Sequence, residues 1–219
     1  MPLCRPCRGR LELVPPGAAC RGCLRPLPPG LGPRPCCLGC LGDPPPYREA
    51  RALWRYRPPA DALLRALKYR RLEFLGPALA REALALVAVS ERSEIDLVAA
   101  VPLAPVRRWR RGFNQAEAIA RPLAAGLGLP YGRPLRRRSG GGRQAGAGRS
   151  RRTVNPVGAF VARGPSEGLR GRRVLLVDDV LTTGSTVRSA AAALRAAGTL
   201  GVTVLVIAAT PPESLGGRA

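Results

Sequence analysis

Residues 174–186, VLLVDDVLTTGST, constrain the fold of the chain more than any other segment. Val174, Leu175, Leu176 and Val177 form an apolar run with no polar alternation, which suits a strand buried on both faces inside a helix-covered parallel sheet. Asp178 and Asp179 end the run. Thr182, Thr183 and Gly184 then turn the chain, and Ser185 and Thr186 open a helix expected to reach about Ala197, followed by a strand over 202–208. Strand, helix, strand is the crossover unit of a parallel α/β sheet.

That arrangement has a chemical use. Ligands of open parallel sheets bind beyond the carboxyl ends of the strands, where adjacent carboxylates can accept hydrogen bonds from both hydroxyls of a ribose. A Thr/Gly loop at a helix N-terminus offers amides, hydroxyls and a favourable dipole to a monophosphate. The segment thus resembles the phosphoribosyl-diphosphate fingerprint of type I phosphoribosyltransferases, with Val177, Asp178, Asp179, Thr182, Thr183, Gly184, Ser185 and Thr186 as its ligand-binding residues. A magnesium-holding strand of a P-loop hydrolase would look similar up to the acids. That reading requires Gly-Lys-Ser or Gly-Lys-Thr, and Lys68, the only lysine, sits in LKYRR with no glycine before it.

Upstream, the leucine spacing predicts helices over 60–71 and 73–89, and the run at 96–101 reads as a buried strand. A helix starting near Asn114 places Ile119, Leu123 and Leu127 on one face, with Pro122 interrupting the pattern. Between that strand and helix lie Arg107, Arg108, Arg110 and Arg111, cations suited to a diphosphate. The competing reading is a solvated basic turn anchored by a packed Trp109. Residues 136–157 are nearly bare of large apolar side chains, so 136–155 is expected to be a flexible loop able to close over the ligand. A short strand is expected at 159–162.

All seven cysteines fall between Cys4 and Cys40. Cys4 and Cys7, Cys20 and Cys23, and Cys37 and Cys40 form CxxC knuckles, and Cys36 is left over. Four thiolates make a closed structural zinc site, and the chain has no histidine for a catalytic zinc of the His type. Spacing alone allows Cys4, Cys7, Cys20 and Cys23, or Cys20, Cys23, Cys37 and Cys40. The cysteines, prolines and glycines of 1–46 make a zinc-binding module, 47–210 the α/β domain and 211–219 a flexible tail.

The net charge of +22 favours polyanions through counterion release, although an arginine-rich codon bias would also produce it. Single-stranded DNA is the expected polymer, with Trp54, Trp109 or Phe113 available for stacking. No apolar run is long enough to cross a bilayer and no leader pattern opens the sequence, so the expected location is the cytoplasm.

VPLAPVRRWRRGFNQA at 101–116, Gln144, Arg152 and Asn155 before Gly158, Ala159 and Phe160, and the 174–187 segment together resemble the ComF family of competence proteins. The resemblance implies a type I phosphoribosyltransferase fold behind a zinc finger, a role in uptake or processing of transforming DNA, and partners in the competence machinery. It implies that Asp178, Asp179 and 182–186 hold the ribose phosphate of phosphoribosyl diphosphate with magnesium, and that Arg111, Gly112, Asn114 and Gln115 form a second motif. It also implies a further CxxC upstream of Met1, which would partner Cys4 and Cys7. Gly140 to Gly148 depart from the family in being small and glycine-rich. Two other functions fit the same residues. One is a working transferase, in which Asp178 and Asp179 are catalytic and stabilise an oxocarbenium-like transition state before an acceptor base or amine attacks. The other is a zinc-ribbon interaction module with a vestigial α/β site.

Overall fold

The computed structural model describes residues 3–15, 17–32, 35–69, 72–138, 158–163 and 168–210. In chain order its elements are α1 (Arg5–Gly9), α2 (Leu38–Gly42), β1 (Glu49–Arg55), α3 (Ala60–Tyr69), α4 (Leu75–Ala83), β2 (Leu97–Ala100), α5 (Pro105–Arg111), α6 (Gln115–Leu127), β3 (Tyr131–Gly132), β4 (Leu135–Arg137), β5 (Phe160–Ala162), β6 (Arg173–Leu181), α7 (Ser185–Ala196) and β7 (Gly201–Ala209).

Five strands form one parallel sheet in the order β1-β7-β6-β2-β3. Central β6 shows why its sequence is apolar throughout. Leu175 and Val177 pack with Leu64 and Leu67 of α3, Leu79 of α4 and Ile119 and Leu123 of α6. Val174 and Leu176 face the other way, onto Val187, Ala190 and Leu194 of α7 and onto Leu135 and Phe160 of the antiparallel β4-β5 pair. Helices therefore cover both faces, and the sheet is of the doubly covered kind expected from the run at 174–177.

Several elements differ from expectation. β1 was not legible, because EARALWR carries three charges and two alanines; only alternate positions, Ala50, Ala52 and Trp54, together with Leu53, are buried. The helix expected over 73–89 stops at Ala83 and tightens into a 3-10 turn at Leu84–Leu86, ahead of the β-branched Val87 and Val89. α6 runs unbroken through Pro122, since burial of Ile119, Leu123 and Leu127 outweighs one lost backbone bond. Arg136 and Arg137, read as the start of a flexible loop, lie in β4. The rest of that loop from 139, including Gln144, Arg152 and Asn155, and the tail 211–219 fall outside the described residues.

The cysteine-rich segment is docked along β1. Val14 N–H donates to the Leu53 carbonyl at 3.1 Å, Arg55 N–H to Glu12 at 2.8 Å and Ala50 N–H to Arg21 at 2.6 Å. Leu13 bridges Trp54 in antiparallel fashion. β1, parallel to β7 on its inner side, thus has its outer edge covered, which removes an open template for aggregation. No helix among the described residues is long and apolar enough to cross a membrane.

Candidate ligand site and metal centre

The sheet has one place where its connections diverge. From β2 the chain passes through α6 to β3 on one side, and from β6 it passes through α7 to β7 on the other. Such a switch point between neighbouring strands opens a crevice at their carboxyl ends. β2 ends opposite Val177, where Val101 N–H donates to the Val177 carbonyl at 2.9 Å. β6 continues to Leu181 with only β7 beside it, so Asp178 and Asp179 emerge beyond the end of β2.

The two acids are fixed by local bonds. Asp178 Oδ1 accepts the Asp179 N–H at 2.9 Å, and Asp179 Oδ1 accepts the Val180 N–H at 2.9 Å. Burial, reinforced by the neighbouring Asp179 charge, pushes the Asp178 carboxyl well above the usual carboxylate range, and the Lys68 ammonium works against that rise. Lys68 Nζ lies 2.7 Å from Asp179 Oδ2, with both side chains largely withdrawn from solvent. Sequence reasoning weighed Lys68 only against the P-loop pattern. The signal available was its place at the edge of the buried Leu63, Leu64 and Leu67 stripe of α3, where a solvated lysine has no reason to sit.

Beyond Leu181 the chain makes the predicted turn. Gly184 takes φ 76°, a left-handed conformation that side-chain-bearing residues rarely adopt, and caps α7. Thr183 Oγ1 and Ser185 Oγ are 3.1 Å apart, and Thr182 and Thr183 are exposed. A small cleft is lined by Val180 through Val187, so the loop faces a space over the first turn of a twelve-residue helix. The amides of that turn are natural donors to an anion.

The second predicted segment takes a different shape from the one expected and meets α3. Residues 105–111 form helix α5, with Pro105 at its start, rather than a basic turn. Trp109 is 82 % exposed and anchors nothing. Arg111 stacks over Tyr69 at 5.2 Å and donates to Gln115 Oε1 at 2.9 Å. The end of α3 thus touches both segments, Lys68 at Asp179 and Tyr69 at Arg111. Burial, with a smaller contribution from the charge of Arg107 on exposed α5, holds the Arg137 guanidinium below its usual pKa.

Two of the expected ligand residues belong to the walls. Asn114 is 7 % exposed, with Nδ2 donating to the Val101 carbonyl and Oδ1 accepting the Ala116 N–H. Val177 packs its side chain in the core. Gln115 is nearly as buried as Val177, and its Nε2 has no hydrogen-bond partner among the described residues. Of the aromatics expected to stack on bases, Trp54 is 3 % and Phe113 8 % exposed. Both are core residues, which leaves Trp109.

Among the six paired cysteines the structure gathers four. The Sγ atoms of Cys20, Cys23, Cys37 and Cys40 lie within 4.8 Å of one another, whereas Cys4 and Cys7 stand outside this group. Four sulfurs at that separation suit a tetrahedral zinc with Zn–S of about 2.3 Å. Gly22 N–H and Cys37 N–H each donate to Cys20 Sγ at 3.3 Å, the contacts a thiolate needs. A Cβ at position 22 would stand 2.9 Å from Cys40 Sγ, so any residue but glycine crowds the knuckle. Tyr47 Oη donates to the Gly22 carbonyl at 2.7 Å and ties the knuckle to the start of the α/β domain.

The profile of the family described as Phosphoribosyl transferase domain matches residues 109–214. The DNA utilization protein YhgH of Salmonella typhi is 36% identical to this chain over 156 residues, spanning 69% of this chain and 67% of the relative. YhgH of Escherichia coli strain K12 is 33% identical over 179 residues, spanning 80% and 78%. Competence protein F of Haemophilus influenzae is 30% identical over 167 residues, spanning 74% and 73%.

Proposed function

The chain belongs to the ComF family, and from that premise we propose that it binds phosphoribosyl diphosphate beyond the carboxyl end of β6 and serves the uptake or processing of DNA. Its α/β domain is phosphoribosyltransferase-like. The observation that carries the ligand reading is the acidic pair standing past the end of β2, followed at once by the Gly184 turn into α7. In this reading Asp178 and Asp179 accept the ribose hydroxyls. Thr182, Thr183, Gly184, Ser185 and Thr186 surround the 5′-phosphate, and Arg107 and Arg111 face the diphosphate.

Cys20, Cys23, Cys37 and Cys40 hold a structural zinc in this proposal, and 1–46 is the module it stabilises. Cysteines gathered as metal ligands rather than joined in disulfides fit a reducing compartment, the cytoplasm. Magnesium is expected only as the counter-ion of the ligand's own diphosphate. The Lys68 ammonium already balances the charge of Asp179 at 2.7 Å, which disfavours a resident divalent ion on that carboxylate. For DNA, the support is α5, which buries no residue and presents arginines beside an exposed tryptophan.

Calorimetric titration of the zinc-loaded protein with phosphoribosyl diphosphate tests the ligand reading against an Asp178→Asn, Asp179→Asn double variant. Binding by the wild type that is lost in the variant is the expected result. A folded wild type that releases no heat and shows no competition by ribose 5-phosphate would overturn it.

A further inference from the structure

A single lysine among 36 basic residues has been placed against one of the two site acids. Elsewhere the chain uses arginine, including for its other buried and half-buried ion pairs, such as Arg51 with Glu49 and Glu91 and Arg173 with Asp96. An arginine would bring a wide planar fork of five donors to this position. An ammonium is a compact point charge, closer to a bound metal ion in size and in the way its field falls on one oxygen.

We propose that Lys68 is the resident counter-ion of the acidic pair and decides how the pair recognises its ligand: with the ammonium on Asp179, the carboxylates take ribose hydroxyls without a divalent cation. This rests on the reading of Asp178 and Asp179 as ribose acceptors. Val180 N–H donates to Asp179 Oδ1 and Lys68 sits on Oδ2, so a metal taking this carboxylate would have to stand beside the ammonium or displace it. Two cations on one carboxylate in a half-buried crevice repel strongly, because solvent screens them little. A neutral hydroxyl meets no such barrier and can share the oxygens with both donors. The position also depends on α3 being held: Leu64 and Leu67 are fully buried on either side of Arg65 and Ala66, and Tyr69 is covered on one face by Arg111. These contacts fix the helix end from which the Lys68 ammonium reaches Asp179.

The test uses the full, zinc-loaded chain, so that the thiolates are occupied, and Mn²⁺ alone as the probe, read from loss of its free-ion magnetic resonance signal. Lys68→Met is expected to bind Mn²⁺ at least about tenfold more tightly than the wild type, and Lys68→Met with Asp179→Asn to lose the gain. Ribose 5-phosphate titrations in metal-free buffer form the second arm. Wild-type affinity is expected to be the same with and without Mg²⁺, and Lys68→Met is expected to bind only when Mg²⁺ is added. A wild-type Mn²⁺ site that disappears in Asp179→Asn overturns the proposal, and this comparison needs no lysine variant to fold. A wild-type requirement for Mg²⁺ overturns it equally. If no protein binds ribose 5-phosphate under any condition while the Mn²⁺ pattern holds, the ribose reading fails and the counter-ion role stands.

Discussion

Asn114 Nδ2 donates to the Val101 carbonyl at 3.0 Å, tying the chain just past β2 to the start of α6. The same side chain accepts the Ala116 N–H at 3.2 Å as the helix cap. Asn114→Ala removes both bonds in a buried place and is expected to cost about 1–2 kcal/mol of stability. Asn114→Ser keeps a capping oxygen but cannot reach Val101 with an amide, so it should recover roughly half. Urea unfolding of the two variants checks this. Equal losses in both would mean that the cap contributes nothing.

Asp178 predicts a pH dependence of stability. Below the ordinary aspartate pKa of about 3.9 the carboxyl is neutral in folded and unfolded chains alike. Above it the unfolded chain ionises freely while burial and the Asp179 charge resist ionisation in the fold, so the unfolded state gains and stability falls as pH rises toward the raised folded value. Asp178→Asn removes that penalty. The variant is expected to melt higher than the wild type at pH 7, with the difference closing by about pH 4, while losing ribose 5-phosphate binding. A gain independent of pH, or a loss at pH 7, would contradict the assigned environment.

What the sequence revealed, and what it hid, follows from the range of the forces involved. β6 and the turn to α7 were legible because their residues are specified locally: four apolar side chains, two acids and a glycine with φ 76°. β1 was hidden because its partners, β7 and the 12–14 segment, lie far away in sequence and bury small or alternate side chains. α5 was not legible as a helix because it has no apolar stripe, so the segment reads as the loop between β2 and α6; its helix rests on Pro105 at the start and Gly112 in left-handed conformation at the end. Lys68 was missed for a related reason. Its partner Asp179 is 111 positions on, and no periodicity connects them.

The two cysteine sets that spacing left equivalent are separated by the fold, and metal content distinguishes them. A Cys4→Ser, Cys7→Ser double variant is expected to keep about one zinc per chain, and Cys23→Ser or Cys37→Ser to lose it. Gly22→Ala should retain the four ligands yet release zinc to a competing chelator more readily, because its Cβ would crowd Cys40 Sγ. Loss of zinc from the Cys4, Cys7 variant would move the site to the other set.

Trp109 and Trp54 make opposite predictions from one residue type. Trp54 is 3 % exposed in β1, and Trp54→Ala is expected to cost about 3–5 kcal/mol of stability through the cavity it leaves. Trp109 is 82 % exposed on a helix that buries nothing, so Trp109→Ala should change stability by no more than about 0.5 kcal/mol. If α5 carries single-stranded DNA, the same substitution removes a stacking platform worth about 1–3 kcal/mol of binding. Because stacking is not ionic, the salt dependence of binding should survive Trp109→Ala and fall by about one phosphate contact in Arg107→Ala. Fluorescence anisotropy of a labelled oligonucleotide across a salt series measures both. An affinity indifferent to Trp109 and Arg107 would move the DNA away from this helix, whatever the net charge of +22 attracts elsewhere.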